Sequence, residues 1–271
     1  MTSLRDIVLH AHSLWPLSGA EDWDTPGLVT GSLDQDVKRI LLAVDAVSLT
    51  VEEAVASEAD LLLTHHPLLL RGITTVNEEA YKGKLISQLI RGNVALLAAH
   101  TNADVVQNGV SDVIAQKLGL TNTSPLTTGT APGTGIGRVG ELPAAITLGD
   151  LARQLAELLP ATAGGIKVSG EYAQQVQRVS LCGGAGDSLL STEGVLGSDV
   201  YITSDLRHHP AQEFREQALL TDGPALIDIA HWAAEWLWLD TAAEQLRSAF
   251  PHIEVVVSDL RTDPWDFVVV Q

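Results

Sequence analysis

Four short apolar runs along the chain end in histidine together with aspartate or glutamate. The central run is Leu61-Leu62-Leu63-Thr64, which is followed directly by His65, His66 and Pro67. A short apolar run after a turn is typical of a strand that is covered on both faces. Open α/β sheets bind ligands at the carboxyl ends of such strands, so His65 and His66 are candidates for a site. Neighbouring side chains on a strand point to opposite faces, so both can serve one site only if the backbone turns between them.

The other three runs have the same form. They span residues 94–98, 200–203 and 225–229, and the polar residues that follow them are His100 and Asp104; Asp205, His208 and His209; and His231 and Glu235. Six of the nine histidines lie in these four clusters, which scattered surface histidines would not do. For any one cluster taken alone, an exposed strand end remains an equal alternative.

Helical periodicity separates the strands. Apolar residues at 4, 7, 8, 11 and 14 predict a helix over Leu4–Leu14, and Thr50 with Glu53 three residues later predicts a helix capped by Thr50. Further helices are predicted over 78–91, 109–118, 147–159, 189–196 and 210–219 and after His231, and further strands over 39–45, 166–168, 176–181, 253–257 and 267–270. The β-α-β order favours an α/β fold with mostly parallel sheets.

A stretch rich in Thr, Gly and Pro divides the chain. Residues 121–137 predict a long loop or linker between two halves. We therefore expect an N-terminal α/β lobe over residues 1–124, a linker and connecting segment over 125–175, and a C-terminal α/β lobe over 176–271. The glycine-rich segment 183–188 predicts a turn before a helix, which could cradle a phosphate or simply pack tightly against backbone.

Composition narrows the class of partner. The chain has 271 residues, 45% of them hydrophobic, which is enough for one large domain or two small ones. A net charge of -18 without a cluster of Lys and Arg argues against nucleic acid or an anionic membrane as partner and can help attract divalent cations. A single cysteine, Cys182, excludes a disulfide framework within the chain. With neither a signal peptide nor a membrane-length apolar run in the sequence, we expect a cytoplasmic protein.

Three imidazoles and two carboxylates make up the predicted site. His231 and Glu235 are four residues apart and share a helical face. Together with His65, His66 and Asp104 they have the composition of a two-metal hydrolytic site. Mixed nitrogen and oxygen ligands suit zinc, iron, manganese or nickel, and we expect two divalent ions per chain.

Four further polar residues are candidates for roles that support the predicted site. His100, His208 and His209 are candidates for orienting ligands or moving protons, with packing or capping as an equal alternative. Asp45 ends a buried strand and could support a site histidine, although a turn residue is the simpler interpretation.

The order of these motifs resembles the Nif-three-like dinuclear metal-centre hexameric proteins, many of which carry the label GTP cyclohydrolase 1 type 2 homologue. The similar segments are Trp23-Asp24-Thr25-Pro26-Gly27-Leu28, Thr64-His65-His66-Pro67-Leu68, His100 to Asp104, Gly137-Arg138-Val139-Gly140, Thr203-Ser204-Asp205 to His209, and Asp228-Ile229-Ala230-His231 to Glu235. Thr25, Ser204 and Ala230 depart from the family pattern, in which the last two positions are glycine.

The resemblance implies a fold and a metal centre. It implies two α/β lobes without a large inserted domain, and a dinuclear site between the lobes held by His65, His66, Asp104, His231 and Glu235. It also implies a toroidal homohexamer with the sites facing its interior.

Two functions follow as hypotheses. The first is a metal-dependent hydrolase of a small molecule, either a GTP cyclohydrolase-like enzyme acting on a purine nucleotide or a phosphoesterase, in which Glu235, His208 and His209 are catalytic. The second is a non-catalytic, metal-binding hexameric adaptor or regulatory protein.

Overall fold

The computed structural model describes residues 2–270, which fold into two compact units. The first unit contains the chain up to Ala103 together with Leu239–Thr262, and the second contains Asp104–Trp238 together with the residues from Asp263 onward. The fold is mixed α/β with mixed sheets, and no large inserted domain occurs among the described residues. The division into segments 1–124, 125–175 and 176–271 remains a prediction.

The secondary structure alternates strands and helices along most of the described chain. The strands are β1 Thr2–Ser3, β2 Gly27–Thr30, β3 Asp36–Val37, β4 Arg39–Ala43, β5 Leu61–Thr64, β6 Ala95–Ala98, β7 Thr121–Ser124, β8 Arg138–Thr147, β9 Lys167–Ser169, β10 Gln175–Ala185, β11 Val200–Ser204, β12 Ala225–Ile229 and β13 Glu254–Val257. The α-helices are α1 Leu4–Leu14, α2 Ser48–Ala56, α3 Tyr81–Arg91, α4 Thr101–Asp104, α5 Val110–Lys117, α6 Leu148–Leu158, α7 Glu193–Leu196, α8 His208–Thr221 and α9 His231–Ala249. Short 3-10 turns occupy Leu17–Gly19 and Asp187–Leu189.

The sheet of the first unit has the strand order β13-β4-β5-β6-β2. The pairs among β13, β4, β5 and β6 are parallel, and β2 runs antiparallel to β6. The three leucines of β5 are completely buried, which confirms the predicted strand covered on both faces. The expectation of a mostly parallel sheet holds for this unit.

The sheet of the second unit has the strand order β7-β8-β10-β11-β12-β9. Its centre, β10-β11-β12, is parallel, whereas β7, β8 and β9 join by antiparallel pairing. With two parallel and three antiparallel pairs, this sheet is mixed rather than mostly parallel. No helix separates β7 from β8 along the chain, and strands that follow each other without a crossover helix pair antiparallel.

The same arrangement of three parallel strands recurs in both sheets, as β4-β5-β6 in the first and β10-β11-β12 in the second. We call it the three-strand frame. In the first, Asp60 stands just before β5, and its carboxylate accepts the two consecutive backbone amides of residues 38–39 at 2.7 and 3.0 Å. In the second, Asp199 stands just before β11, and its carboxylate accepts the amides of residues 177–178, both at 2.7 Å. Each aspartate therefore fixes where its strand begins relative to the preceding parallel strand.

This shared frame places the polar residues of each unit at equivalent strand ends. In the first unit β5 ends before His65 and His66, and β6 ends before His100. In the second unit β11 ends before Asp205, and β12 ends before His231. Because parallel strands end at the same edge of a sheet, each unit collects its candidate ligands at one edge.

The helix that begins after β4 differs from the prediction at its start. It starts at Ser48, with Val47 rather than Thr50 as the N-cap residue. Thr50 lies in the first turn, where its hydroxyl accepts the amide of Val47 at 3.1 Å and donates to the carbonyl of Asp45 at 2.7 Å. The hydroxyl thus caps the helix from inside it. By contrast, Thr147 caps α6 as predicted, accepting the amide of Asp150.

Four other predictions of secondary structure were wrong. The segment 121–137, expected to be a loop, begins with the exposed strand β7, which pairs with β8. Residues 183–185, expected to be a turn, belong to β10 because Ala185 pairs with Ser204, and the helix predicted over 189–196 shrinks to α7. The strand expected over 267–270 is absent from the described chain, and the side chains there are exposed.

Among residues 2–270, no helix is both long enough and apolar enough to cross a lipid bilayer. The longest helix, α9, carries several charged residues along its length.

We expect Asp199→Ala to lower the free energy of unfolding by about 1–3 kcal/mol, because two strand amides lose a charged acceptor. Urea denaturation followed by circular dichroism measures this change. The matched control is Asp34→Ala, which removes an exposed carboxylate paired only with the exposed Arg5 side chain among the described ion pairs. Equal denaturation midpoints for the two variants would contradict the role given to Asp199.

Candidate metal centre

His65 and His66 leave the end of β5 with both imidazoles held by oxygen acceptors. Nδ1 of His65 lies 2.8 Å from the carbonyl oxygen of Ala99, and Nδ1 of His66 lies 2.7 Å from a carboxylate oxygen of Asp45. The two ring centroids are 5.2 Å apart. The backbone thus turns between the two histidines, as a shared site requires.

The carboxylate that contacts His66 is itself held by a further hydrogen bond. The second carboxylate oxygen of Asp45 accepts a hydrogen bond from the hydroxyl of Thr262. Asp45 therefore supports the imidazole of His66, one of the two alternatives that the sequence left open. A carboxylate on the far nitrogen of an imidazole fixes the tautomer and the ring orientation, which is how metal-bound histidines are usually held.

His100 completes a group of three histidines in the first unit. Its ring centroid lies 5.3 Å from that of His65 and 5.5 Å from that of His66. Each of the three side chains offers a ring nitrogen, and these nitrogens all lie within 4.8 Å of one another. The sequence did not count His100 among the five ligands, yet the structure places it in the same cluster.

The loop that contains Trp23 and Asp24 packs against His100. A carboxylate oxygen of Asp24 lies 3.0 Å from Nδ1 of His100 and accepts the hydroxyl of Thr101 at 2.6 Å. The ring of Trp23 meets the imidazole edge-on at 5.7 Å and is itself 60% exposed. The similarity of this loop to the family pattern was visible in the sequence, but its contact with His100 was not.

Burial and neighbouring imidazoles control the charge of His100. Burial, together with the nearby His65 and His66, lowers the pKa of His100 to about 4, although Asp24 acts in the opposite direction. Burial acts to raise the pKa of Asp24, but hydrogen bonds from Thr101 and His100 outweigh it and lower that pKa. His100 is therefore neutral near pH 7, which is the form in which imidazole can donate a lone pair to a metal.

The second unit contains a histidine between two carboxylates. His231 is the first residue of α9, its Nδ1 lies 2.8 Å from a carboxylate oxygen of Asp205, and its Nε2 lies 2.8 Å from Oε1 of Glu235. The i,i+4 spacing predicted this contact with Glu235, which is buried. Burial acts to lower the pKa of His231, but Glu235 and Asp205 outweigh it and raise that pKa to about 11.

Gly184 at the end of β10 is pressed against this pair. A Cβ atom at Gly184 would lie 2.9 Å from Oε1 of Glu235 and 3.4 Å from Nε2 of His231, and its φ of +79° also favours glycine. The amide of Gly183 donates to the hydroxyl of Ser111 at 3.1 Å, which holds this backbone in place. This geometry matches tight packing against neighbouring groups, one of the two alternatives for the glycine-rich segment.

The remaining predicted residues are distributed as follows. Asp104 is the last residue of α4 and is half-buried. His208 and His209 are exposed at the start of α8, with ring centroids 5.2 Å apart. Cys182 is buried, and burial, with a smaller effect of Asp104, raises the pKa of its thiol to about 12. The assignment of ligand and catalytic roles to these residues stays a prediction.

The donor set fits divalent transition metals. His65, His66 and His231 each have Nδ1 against an oxygen acceptor, so the tautomer with the proton on Nδ1 has its lone pair on Nε2. Imidazole nitrogens together with the carboxylate of Glu235 are groups of the kind that suits zinc, iron, manganese or nickel. The histidine and glutamate side chains of this cluster could therefore bind metal ions.

Comparison with known proteins identifies the family. A family model described as Duf34/NIF3 (NGG1p interacting factor 3) matches residues 2–264. The chain therefore belongs to the Duf34/NIF3 family.

Named relatives and a solved structure agree with this assignment. A protein of Streptomyces coelicolor named GTP cyclohydrolase 1 type 2 homolog is 45% identical over 272 aligned positions, which cover 98% of this chain and 94% of that protein. A crystal structure of a hypothetical protein of Staphylococcus aureus has a TM-score of 0.87 at 27% identity and covers 98% of this chain and 99% of its own.

One relative is longer than this chain. A Mycobacterium leprae protein with the same name is 31% identical over 371 aligned positions, which cover 97% of this chain and 95% of that protein. Because this chain has only 271 residues, the mycobacterial protein contains additional residues without a counterpart here.

We expect the metal-free protein to lose stability between pH 6.5 and pH 4, because His100 is neutral in the fold and must bind a proton on unfolding. The unfolded chain binds more protons than the folded chain in this range. The free energy of unfolding therefore decreases as the pH is lowered from 6.5 to 4, by up to about 3 kcal/mol from this one group. Denaturation at several pH values measures the effect, and His100→Gln should flatten the profile. An NMR titration that places the pKa of His100 at or above 6.5 would contradict the prediction.

Proposed function

We propose that this chain is a metal-dependent hydrolase in which two divalent ions are held by His65, His66, Asp104, His231 and Glu235, in a dinuclear centre. Zinc, iron, manganese and nickel are the candidate metals.

The observation that carries the proposal is the arrangement around the three histidines. His65 contacts a backbone carbonyl, while His66 and His231 contact the carboxylates of Asp45 and Asp205. All three contacts are made by Nδ1. Histidines that only pack in a core or cap a loop have no reason to share an oxygen acceptor at this same nitrogen. Metal-bound histidines have one almost invariably, because it orients the ring and raises the basicity of the ligand nitrogen.

The chain's own residues control charge and proton position in this site. Two bound divalent ions would supply a water of lowered pKa and stabilise the attacking and leaving oxygens of a hydrolysis. Glu235 is 3% exposed and its Oε1 lies 2.8 Å from Nε2 of His231, so it is the carboxylate that we propose accepts a proton in the second unit. His208 and His209 are exposed, and we propose that they exchange protons with solvent.

The substrate proposed is a small molecule with a hydrolysable carbon or phosphorus centre. The name of the relatives, GTP cyclohydrolase 1 type 2 homolog, supports a purine nucleotide whose ring is opened at the formyl-bearing carbon. A phosphoester fits the same ligand set, because a fold and a metal site admit many substrates. Nucleic acid and membranes are not proposed as partners, given the net charge of -18.

A non-catalytic, metal-binding adaptor is the second candidate. A run of exposed apolar side chains near the C-terminus favours it, since contiguous apolar surface marks interaction sites. These side chains are Trp265, Phe267, Val268, Val269 and Val270, with exposures of 62–88%. In either case we propose that the chain assembles as a homohexamer.

Protein purified without added metal should contain about two divalent ions per chain, and elemental analysis would identify them. His65→Ala should lose metal, and Asp45→Asn should bind it about 10–100-fold more weakly, because the support of His66 is weakened. His252→Ala, which alters a histidine bonded to Thr2 instead, should retain the metal content of the original chain.

Absence of metal after gentle purification, and no uptake on titration with zinc, iron, manganese or nickel, would refute the proposed centre. Retention of full metal content by His65→Ala would remove that residue from the ligand set.

The metal-loaded protein should hydrolyse GTP or a nitrophenyl phosphodiester, and Glu235→Gln should slow hydrolysis by at least about 100-fold, because a buried ligand and proton acceptor is lost. Formate release and nitrophenolate absorbance are the two measurements. Glu244→Gln is the matched control, since Glu244 is an exposed glutamate on the same helix.

Light scattering on the same samples tests the proposed hexamer and shows whether the variants still assemble. If the loaded protein hydrolyses neither class of substrate, while partner binding survives Glu235→Gln, the adaptor function replaces the hydrolase.

A further inference from the structure

The residues that follow Asp104 form a loop whose backbone is held by one buried arginine. The loop runs from Asp104 to Gly109, between α4 and α5. Arg138, the first residue of β8, is only 2% exposed. An arginine so completely removed from water needs a partner for each donor, because an unpaired buried charge is strongly destabilising.

All three guanidinium nitrogens of Arg138 are bonded. Nη2 donates to the carbonyl of Val106 at 2.8 Å, Nη1 donates to the carbonyls of Gly135 and Gly137 at 2.8 and 2.7 Å, and Nε donates to Oδ1 of Asp112 at 2.8 Å. The guanidinium group therefore joins the loop after Asp104 to the segment that leads into β8 and to the first turn of α5.

Asp112 carries this contact to the far end of the loop. Its other carboxylate oxygen, Oδ2, accepts the amide of Asn108 at 2.8 Å and the side-chain amide of Gln116 at 2.9 Å. Asn108 has a positive φ of 60°, a conformation that few residues other than glycine and asparagine adopt readily. Arg138 thus holds the loop at Val106 directly and at Asn108 through Asp112.

A third bond holds the residue next to Asp104. The amide of Gly135 donates to the carbonyl of Val105 at 2.8 Å, and the carbonyl of Gly135 accepts a hydrogen bond from Nη1 of Arg138 at 2.8 Å. Arg138 therefore also holds Gly135, the residue that binds Val105. Three of the four residues that follow Asp104 are held, directly or through one neighbour, by this single side chain.

We propose that Arg138 is a positioning residue for the metal centre: it fixes the backbone of residues 105–108 and thereby the direction of the Asp104 carboxylate. The inference rests on the proposed function, because it takes Asp104 as a metal ligand. Lysine cannot replace arginine in this role, since an ammonium group lacks the planar fork that reaches a carboxylate and three carbonyls together.

Cobalt(II) titration of the full chain tests the proposal, because the visible absorption of cobalt reports both affinity and ligand geometry. We expect Arg138→Lys to weaken the binding of one cobalt ion about tenfold or more and to alter its absorption band. Asp112→Asn keeps the shape of the side chain but retains only one acceptor oxygen, so it can serve Arg138 or the Asn108 amide but not both, and it should show a smaller loss of the same kind.

A double-mutant cycle separates positioning from general stability. In an Asp104→Ala background, Arg138→Lys should cause no further loss of cobalt affinity, because its effect passes through the missing carboxylate. Leu155→Ala, which removes a completely buried side chain from α6 in the same unit, is the control for destabilisation and should leave the cobalt spectrum unchanged.

The outcomes distinguish the inference from the function beneath it. If Asp104→Ala weakens cobalt binding but Arg138→Lys and Asp112→Asn bind cobalt as the original chain does, the positioning role is wrong and the metal centre stands. Additive losses in the cycle would also overturn it. If Asp104→Ala itself leaves cobalt binding unchanged, Asp104 is not a ligand, and both the assignment and the inference fail.

Discussion

Parallel pairing of three buried strands in each unit is the constraint on which the candidate site depends. Parallel strands end at one edge of a sheet, so the chain that leaves β5 and β6, or β11 and β12, must continue at that edge. Asp60 and Asp199 set the start of the middle strand in each frame by accepting two amides of its neighbour. A shift of one residue would turn every side chain of the strand to its other face and displace the residues that follow.

The surroundings shift the pKa of an imidazole in opposite directions in the two units. In the first, His100 is buried among other imidazoles and its pKa falls to about 4, so the group is neutral near pH 7. In the second, His231 lies between Glu235 and Asp205 and its pKa rises to about 11. Nε2 of His231 and Oε1 of Glu235 lie 2.8 Å apart, so one proton can be shared between imidazole and carboxylate.

Supporting contacts extend the candidate centre well beyond its ligands. Asp45, Asp205 and the carbonyl of Ala99 hold imidazoles, while Gly184 leaves room for the pair of His231 and Glu235 because it has no side chain. In our proposal Arg138 also supports the centre, but it does so by holding the backbone after Asp104 rather than by contacting an imidazole. Such partners commonly matter to metal affinity nearly as much as the ligands do, since they fix the geometry that the ion meets.

The sequence by itself determined the strands that end in histidine, the helix pairing of His231 with Glu235, and the family. These signals are local: apolar runs, i,i+4 spacing and ordered motifs need no knowledge of the fold. The tertiary structure alone decided that His100 joins His65 and His66, that Asp45 supports His66, and that Gly184 packs against Glu235. It also decided that residues 183–185 extend β10 and that residues 267–270 form no strand. These outcomes depend on which segments become neighbours, because a hydrogen-bond partner or a strand partner far away in sequence leaves no local pattern in the chain.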